Sequence, residues 1–453
     1  MLATQNDSAA CYGLLERISD ARRRSDELFS LIRVDALYER PIPERHRIIF
    51  YIGHLEAFDW NLFRENVFDL KSRNPEFDRL FAFGIDPVGG GLPKDQPSDW
   101  PSFNAVREYV AALRSALDEQ LGKRVLESDS APRGRFPIDT LLNVAIEHRL
   151  MHVETLFYMF HQLPFDRKVC YDGLRRPSSE AGTPVVPRMI PVPAGVATLG
   201  LARTSGLFGW DNEYESQTVD VPAFSMDRYK VTNREYLQFM AAGGYDRSSF
   251  WTSEDWDWKT AGGVYHPVFW RKSDGNGRWF YRTMFDEVPL PLDWPVYVSH
   301  AEASAYARWA GKALPTEREW HRAAYGTVNG RERAYPWGNQ APPGSGEARL
   351  GNFDFHSWNP TPVNAFPDGQ SEFGVDDMLG NGWEWTSSIF GPFPGFEPFP
   401  FYPGYSANFF DGKHFVLKGG SARTAACMLR PSFRNWFQAQ YQYVYAGFRC
   451  VSR

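Results

Sequence analysis

The stretch Asp377-Met-Leu-Gly-Asn-Gly-Trp-Glu-Trp-Thr386 places two glycines and two tryptophans within ten residues. That composition is typical of the chain from Met189 onward, where short apolar segments alternate with turns. Helical periodicity in this part is clear only near Asn233–Ala241 and His300–Ala310. The sequence therefore predicts a loop-rich domain of mixed strands and helices over residues 189–453.

Upstream of this domain, apolar residues recur at helical spacing in four segments, which predicts a four-helix bundle over residues 1–170. The predicted helices lie within residues 14–37, 45–66, 103–126 and 137–162. Residues 171–188 are rich in proline and serine and have little apolar periodicity, as expected of a linker. A helical domain followed by a mixed domain makes the predicted fold class α+β.

The overall composition excludes several classes of protein. The chain has 453 residues, of which 43% are hydrophobic and 23% are charged, and this excludes a disordered chain. Its 49 basic and 55 acidic residues give a net charge of −6, which argues against a nucleic-acid partner. No apolar run is long enough to cross a membrane, and Met1–Gly13 lacks the features of a signal peptide. We therefore expect a cytoplasmic protein with no membrane partner, and the sequence leaves its oligomeric state open.

Three histidines are candidate metal ligands. His148 and His152 lie four residues apart in the last predicted helix of the bundle, so both rings project from one face. His54 follows the apolar segment Ile48–Gly53 in the second predicted helix, where an unpaired imidazole would be costly. The sequence therefore predicts a three-histidine metal site with open coordination positions. Imidazole ligands suit zinc as well as iron.

The second domain resembles the formylglycine-generating-enzyme/sulfatase-modifying-factor family, which has a C-type-lectin-like fold. The matching blocks, in chain order, are Ile190-Pro-Val-Pro-Ala-Gly195, Asp227-Arg-Tyr-Lys-Val-Thr-Asn233, Leu314-Pro-Thr-Glu-Arg-Glu-Trp320, Tyr335-Pro-Trp-Gly-Asn339, Asp377–Thr386, Leu417-Lys-Gly-Gly-Ser421 and Ala446-Gly-Phe-Arg449. Formylglycine-generating enzymes bind copper through paired cysteines near the C-terminus, whereas Cys427 and Cys450 lie in a different context. The resemblance thus implies the fold but not that activity, and we expect both cysteines to be small buried residues.

The first domain resembles DinB-like helical bundles, which often hold a metal through three histidines. The residues that carry this likeness are Gly53-His54 and His148-Arg-Leu-Met-His152-Val-Glu154. A DinB-like domain followed by a lectin-like domain is the arrangement of the ergothioneine-type sulfoxide synthases. This resemblance implies a non-haem iron(II) enzyme that uses dioxygen to join a cysteine-type thiol to the imidazole of hercynine, a histidine betaine. It also assigns His54, His148 and His152 as the iron ligands.

The same resemblance assigns the betaine substrate to the second domain. Asn435 and Trp436 match a motif that family members place near the betaine, and Phe437 adds a further ring. The chemistry is suitable, because an aromatic face attracts a quaternary ammonium and an amide can bond to an imidazole nitrogen. We therefore expect these three residues to bind hercynine.

Two tyrosines complete the expected site. Tyr402 matches the position of an active-site tyrosine that supplies a proton during dioxygen reduction, and Tyr405 would then contact substrate. Some branches of the family carry this tyrosine in a long loop of the first domain. Residues 79–101, which contain that loop, have no tyrosine. This difference favours Tyr402 as the proton donor.

The chain departs from the family pattern at positions that concern the sulfur donor. Members that use γ-glutamylcysteine have an acidic residue after Asn-Trp and an arginine four residues further on, where this chain has Phe437 and Tyr441. A glutamine that often precedes the second helical histidine is replaced by Met151. Free cysteine is therefore the expected donor, and a selenium donor stays open. So do three other functions: an ovothiol-type synthase acting on histidine, a DinB-type metal-dependent thiol transferase, and a non-catalytic, lectin-like ligand-binding protein.

Overall fold

The computed structural model describes residues 3–82, 92–126, 135–171, 184–275, 277–342 and 350–453. The chain divides into two compact units, unit 1 from Met1 to Leu174 and unit 2 from Arg175 to Arg453. Most of the expected linker, residues 172–183, lies outside the described residues. None of the described helices is both long and apolar enough to cross a membrane.

Unit 1 is helical. Its described helices are α1 (Ala3–Ser30), α2 (Ile48–Phe63), α3 (Pro75–Leu80), α4 (Phe103–Leu126) and α5 (Ile138–Gln162). The four long helices were predicted, whereas the short α3 was not. The first helix ends at Ser30 instead of continuing to residue 37, and a 3-10 turn forms at Val34–Ala36. Helix α1 packs mainly on α5, and α2 packs mainly on α4.

A buried network of ion pairs joins α2 to α4 and α5. The Arg149 guanidinium of α5 lies 2.6 Å from the carboxylate of Asp59 and 2.9 Å from that of Glu56. Arg114 of α4 pairs with the same Glu56 at 2.7 Å. Removing one partner of a buried pair typically costs about 3–5 kcal/mol, because the other charge is left uncompensated. The network therefore fixes α5 against α2 beside His148.

Unit 2 consists of small sheets connected by long loops. Its described strands are β1 (Met189–Val192), β2 (Gly195–Leu199), β3 (Gln217–Val221), β4 (Phe224–Asp227), β5 (Trp270–Lys272), β6 (Trp279–Arg282), β7 (Glu287–Pro289), β8 (Trp383–Ile389), β9 (His414–Lys418), β10 (Asn435–Gln438), β11 (Ala446–Gly447) and β12 (Val451–Ser452). The sheets have the strand orders β1-β4-β12, β10-β9-β8-β11, β2-β3 and β5-β6-β7. In the second sheet, β11 runs parallel to β8 and the other neighbours are antiparallel.

The glycine- and tryptophan-containing stretch 377–386 lies in the interior of unit 2. Trp383 and Trp385 of β8 are 2% and 0% exposed. Between them, the buried Glu384 carboxylate accepts hydrogen bonds from Arg449 at 2.6 and 2.8 Å. Two of the sequence blocks are therefore joined by a bidentate ion pair in the core, which is the stronger geometry for such pairs.

The prediction of only two helices in the mixed domain is wrong. The described helices there are α6 (Asn233–Ala241), α7 (Ser253–Ala261), α8 (His300–Trp309) and α9 (Glu317–Tyr325). Helix α7 has no apolar stripe at helical spacing, and α9 has only the short apolar set Trp320, Ala323 and Ala324 within a segment rich in charged residues. Helix α9 begins with a capping box, in which the Thr316 hydroxyl accepts from the Glu319 N–H and the Glu319 carboxylate accepts from the Thr316 N–H. That Thr-x-x-Glu spacing was the available signal.

Candidate functional site

Three imidazoles converge in the interior of unit 1. Helix α2 carries His54, and α5 carries His148 and His152 one turn apart, and all three are at most 5% exposed. The Nε2 atom of His152 lies 3.2 Å from Nε2 of His54 and 3.1 Å from Nε2 of His148. Their candidate ligand atoms all lie within 4.8 Å of one another. The structure thus brings the three predicted ligands to one point, which we call the histidine cluster.

A backbone carbonyl sets the tautomer of His54. Its Nδ1 atom lies 2.7 Å from the carbonyl oxygen of Phe81. A carbonyl oxygen only accepts, so Nδ1 carries the proton and Nε2 presents a lone pair to the other two rings. Burial lowers the pKa of His54 to about 4 and the pKa values of His148 and His152 well below their usual range. All three rings are therefore neutral near pH 7, which is the form that binds metals.

Hydrogen bonds alone cannot account for both short contacts that Nε2 of His152 makes with the Nε2 atoms of His54 and His148. If its Nε2 carries a proton, that proton can point straight at His54 or at His148, but not at both. If its Nε2 is unprotonated, it faces the lone pair of His54 at 3.2 Å. A cation bound by three lone pairs satisfies all three nitrogens at once, and imidazole nitrogen is a common ligand of iron and zinc. The donor set of the histidine cluster therefore fits a metal ion.

Aromatic rings hold the imidazoles in place. The Phe50 ring stacks on His54 with centroids 4.8 Å apart, and the Phe58 ring stacks on His148 with centroids 3.5 Å apart. Neither ring was predicted from the sequence. Phe50, His54 and Phe58 follow one another at four-residue intervals on α2, which places them on one face of the helix. That spacing was the signal that could have identified them.

In unit 2, the structure groups Tyr402, Tyr405 and Trp436 into one set of rings, which we call the aromatic cluster. The ring centroids of Tyr402 and Tyr405 are 5.5 Å apart, and those of Tyr405 and Trp436 are 5.4 Å apart. Tyr405 is buried, whereas Tyr402 and Trp436 are half-buried. One face of Trp436 stacks on Phe390 at 4.2 Å, so at most its other face could meet a substrate cation.

The two remaining predicted residues lie beside Trp436 in strand β10. Successive side chains of a strand point to opposite faces, so Asn435 and Phe437 project away from the face that carries Trp436. Phe437 stacks instead on Tyr441, with centroids 4.9 Å apart and an interplanar angle of 9°. The structure therefore does not bring Phe437 into the aromatic cluster.

A buried charged group, not predicted from the sequence, supports the aromatic cluster. Arg434 is 3% exposed and donates to the Glu317 carboxylate at 3.0 Å and to the Gly391 carbonyl at 3.0 Å. Its guanidinium also lies 5.0 Å from the centroid of Phe390, the ring that stacks on Trp436. Arg434 thereby connects Gly391, which follows the end of β8, to the start of strand β10. Its position directly before Asn435-Trp436 was the only signal in the sequence.

Comparisons with known proteins agree with this architecture. Residues 176–453 match the family model of the sulfatase-modifying factor enzyme 1-like domain, and residues 17–156 match the DinB superfamily. The predicted fold class, a helical DinB-like region followed by a mixed C-type-lectin-like domain, is confirmed.

Curated relatives match along most of the chain. The protein named hercynine oxygenase of Mycolicibacterium thermoresistibile is 37% identical over 353 residues, covering 76% of this chain and 73% of that one. The hercynine oxygenase of Mycolicibacterium smegmatis is 36% identical, covering 83% of each chain. Ergothioneine biosynthesis protein 1 of Neurospora crassa is 29% identical, covering 92% of this chain and 55% of that one. The chain therefore belongs to the ergothioneine-type sulfoxide synthase family, in which a DinB-superfamily region precedes a sulfatase-modifying factor enzyme 1-like domain.

Proposed function

We propose that this protein is an iron(II)-dependent sulfoxide synthase of ergothioneine biosynthesis, with dioxygen as its oxidant. It would replace the hydrogen on an imidazole carbon of hercynine by the sulfur of a cysteine-type thiol. One oxygen atom would go to the sulfur as sulfoxide, and the other would leave as water with the hydrogens of the C–H and S–H bonds. Two relatives that are 37% and 36% identical to this chain over the aligned residues are named hercynine oxygenase, which supports this reaction class.

The observation that carries the metal assignment is the convergence of the three Nε2 atoms in the histidine cluster. His54, His148 and His152 would hold the ion, and three ligands leave coordination positions open. Bound iron(II) would supply the electron transfer that activates dioxygen. The buried Phe50 ring and the half-buried Phe58 ring would limit the access of bulk water, and the Phe81 carbonyl would keep the lone pair of His54 directed at the ion.

The residues of unit 2 would bind the betaine and supply a proton. The face of Trp436 that is turned away from Phe390 is suited to the quaternary ammonium. The side-chain amide of Asn435 projects to the other side of strand β10 and can donate hydrogen bonds to a different group of the substrates there. Its Oδ1 accepts from the Trp436 N–H at 2.9 Å, which leaves the amide NH2 for a substrate. Tyr402 is half-buried and would donate the phenol proton, whereas the buried Tyr405 would orient substrate through contact.

The stacked pair Phe437 and Tyr441 supports free cysteine as the sulfur donor. These apolar rings offer no charge partner to the additional carboxylate of γ-glutamylcysteine. A buried carboxylate without a partner is costly, so the smaller donor is favoured.

Oxygen consumption tests the proposal directly. The purified chain, reconstituted with iron(II), should consume dioxygen and form a hercynine–cysteine sulfoxide only when both substrates are present. The three neutral imidazoles would also suit zinc, so a metal-dependent thiol transferase is the competing function. Thiol transfer without oxygen uptake, supported equally by zinc, would favour that competitor and contradict the proposal.

A further inference from the structure

The absence of a side chain at Gly53 leaves room for one neighbouring ring. A Cβ atom at this position would lie 2.5 Å from Cδ1 and Cε1 of Phe81 and 2.6 Å from its Cγ. These distances are far below van der Waals contact, so either the ring or the helix would have to move. Phe81 is 0% exposed, and its ring packs within about 6.5 Å of Phe50, Phe77, Trp100 and Tyr109. A retreat of the ring would therefore push on at least one of these four neighbours.

Phe81 touches two successive residues of α2 with two different parts. Its ring lies against Gly53, and its carbonyl oxygen accepts the Nδ1–H of His54 at 2.7 Å. The residue is held in place from the other side as well. Its N–H donates to the Phe77 carbonyl at 2.9 Å, and Asp78 of α3 accepts from Tyr109 of α4 at 2.6 Å. A displaced ring would therefore displace the carbonyl that orients His54.

From this geometry we propose that Gly53 and Phe81 are a pair of positioning residues for the metal centre. Gly53 allows the Phe81 backbone to approach α2, and the Phe81 carbonyl then fixes the tautomer and the ring plane of His54. This inference rests on the proposed metal site. Partners that hold a metal-bound histidine by its second nitrogen typically contribute about 10–100-fold to metal affinity. Gly53→Ala should weaken metal binding by a factor in that range.

A harmful effect of Gly53→Ala would be opposite in sign to the effect that helix propensity alone predicts. Glycine in the middle of a helix is less favourable than alanine by roughly 0.5–1 kcal/mol, so Gly→Ala normally stabilises a helix. Gly122 of α4 is a matched control, because a Cβ there meets nothing within 4 Å. We expect Gly122→Ala to keep wild-type metal affinity and to unfold at the same or a higher temperature.

The experiment is a titration of the metal-free full chain with Co²⁺ against a competing chelator, followed through the visible absorption of the bound ion. We expect Gly53→Ala to bind Co²⁺ about 10–100-fold more weakly than wild type and Gly122→Ala. The double variant Gly53→Ala with Phe81→Leu should recover part of the affinity, because the smaller side chain makes room for the new Cβ. Thermal unfolding without metal identifies any variant that has lost its fold.

Three outcomes would overturn different parts of the proposal. If Gly53→Ala binds Co²⁺ as tightly as Gly122→Ala, while His54→Ala does not bind it, the metal site stands and the positioning role is wrong. If Gly53→Ala binds Co²⁺ more weakly, and the folded double variant binds it no better than Gly53→Ala, then the clash with the Phe81 ring is not the cause of the loss. If wild type and His54→Ala behave alike, the metal site itself is misassigned and the proposed function fails with it.

Discussion

The histidine cluster and the aromatic cluster are built from different parts of the chain. The imidazoles of the histidine cluster stand on two regular helices, α2 and α5, whose relative position is fixed by buried ion pairs. The rings of the aromatic cluster stand on a loop and at the start of strand β10. The first cluster offers polar atoms at defined distances, whereas the second offers ring faces with broad geometric tolerance. We therefore expect substitutions in the histidine cluster to abolish turnover and substitutions in the aromatic cluster to lower it without abolishing it.

The largest effect is expected from His148→Ala. Two imidazoles rarely retain a metal against buffer, so this variant should lose all detectable sulfoxide formation while remaining folded. Sulfoxide production by mass spectrometry and iron content measure the two losses on one sample. Trp436→Phe is the matching change in the aromatic cluster and should retain turnover with a raised KM for hercynine. Equal losses in the two variants would contradict the difference drawn between the clusters.

A smaller but still large effect is expected from Tyr402→Phe. Phenylalanine keeps the ring and removes the proton, and general acid catalysis of this kind typically contributes about 10²–10⁴-fold. Iron and hercynine binding should be nearly unchanged, while carbon–sulfur bond formation slows or oxygen is diverted to oxidising the thiol. Single-turnover product analysis separates the two. Tyr405→Phe is the control and should mainly raise KM, and reversed effects would assign the proton to Tyr405.

The donor preference should respond to Tyr441. Wild type should use cysteine with a kcat/KM about 10²-fold above that for γ-glutamylcysteine, which corresponds to roughly 3 kcal/mol for the unpaired carboxylate. Tyr441→Arg supplies a charge partner and should narrow this ratio, whereas Tyr441→Phe, which adds no charge, should leave it unchanged. Competition between the two donors in one reaction measures the ratio directly. A wild-type preference for the dipeptide would mean that another group binds its carboxylate.

The smallest expected effect concerns the pH dependence of stability beneath the aromatic cluster. Lys418 donates to the carbonyl oxygens of Pro431 and Phe433, just before Asn435-Trp436, and burial lowers its pKa to about 8 from 10.5. Between these two values the unfolded chain binds more protons than the folded chain, so this group makes stability rise with pH across that window. The full contribution is at most about 3 kcal/mol, at 1.36 kcal/mol per pKa unit.

Lys418→Met should remove this contribution to the pH dependence of stability, whether or not the variant is more or less stable overall. Urea unfolding at a series of pH values between 8 and 10.5 gives the difference in slope between wild type and variant. Identical slopes would mean that the lysine keeps its ordinary pKa in the folded chain. The histidine cluster should add no slope in this window, because its pKa values lie far below it.

The two clusters also differ in how much of each could be predicted from the sequence. On a helix, a four-residue spacing fixes which side chains share a face, so His148 and His152 could be paired without a structure. Long-range partners carry no such spacing. The Phe81 carbonyl is a backbone group that tertiary packing brings to His54, and no residue type in the sequence indicates this contact.

The lectin-like unit was predicted mainly through its resemblance to a family. A strand alternates its side chains between two faces, so naming Trp436 and Phe437 together could not place both in one cluster. The start of β10 decides which of them faces Tyr405, and this short strand lies among loops that have no period. The buried charges that support the cluster, such as Arg434 with Glu317, come from blocks far apart in sequence.

In the proposed metal centre, three imidazoles of unit 1 hold one metal ion. An anaerobic titration of iron(II) into the metal-free full chain, with His54→Ala as the comparison, tests this site most directly. We expect one tightly bound iron per wild-type chain and none in the folded variant. A His54→Ala chain that still binds one iron with wild-type affinity would place the metal elsewhere.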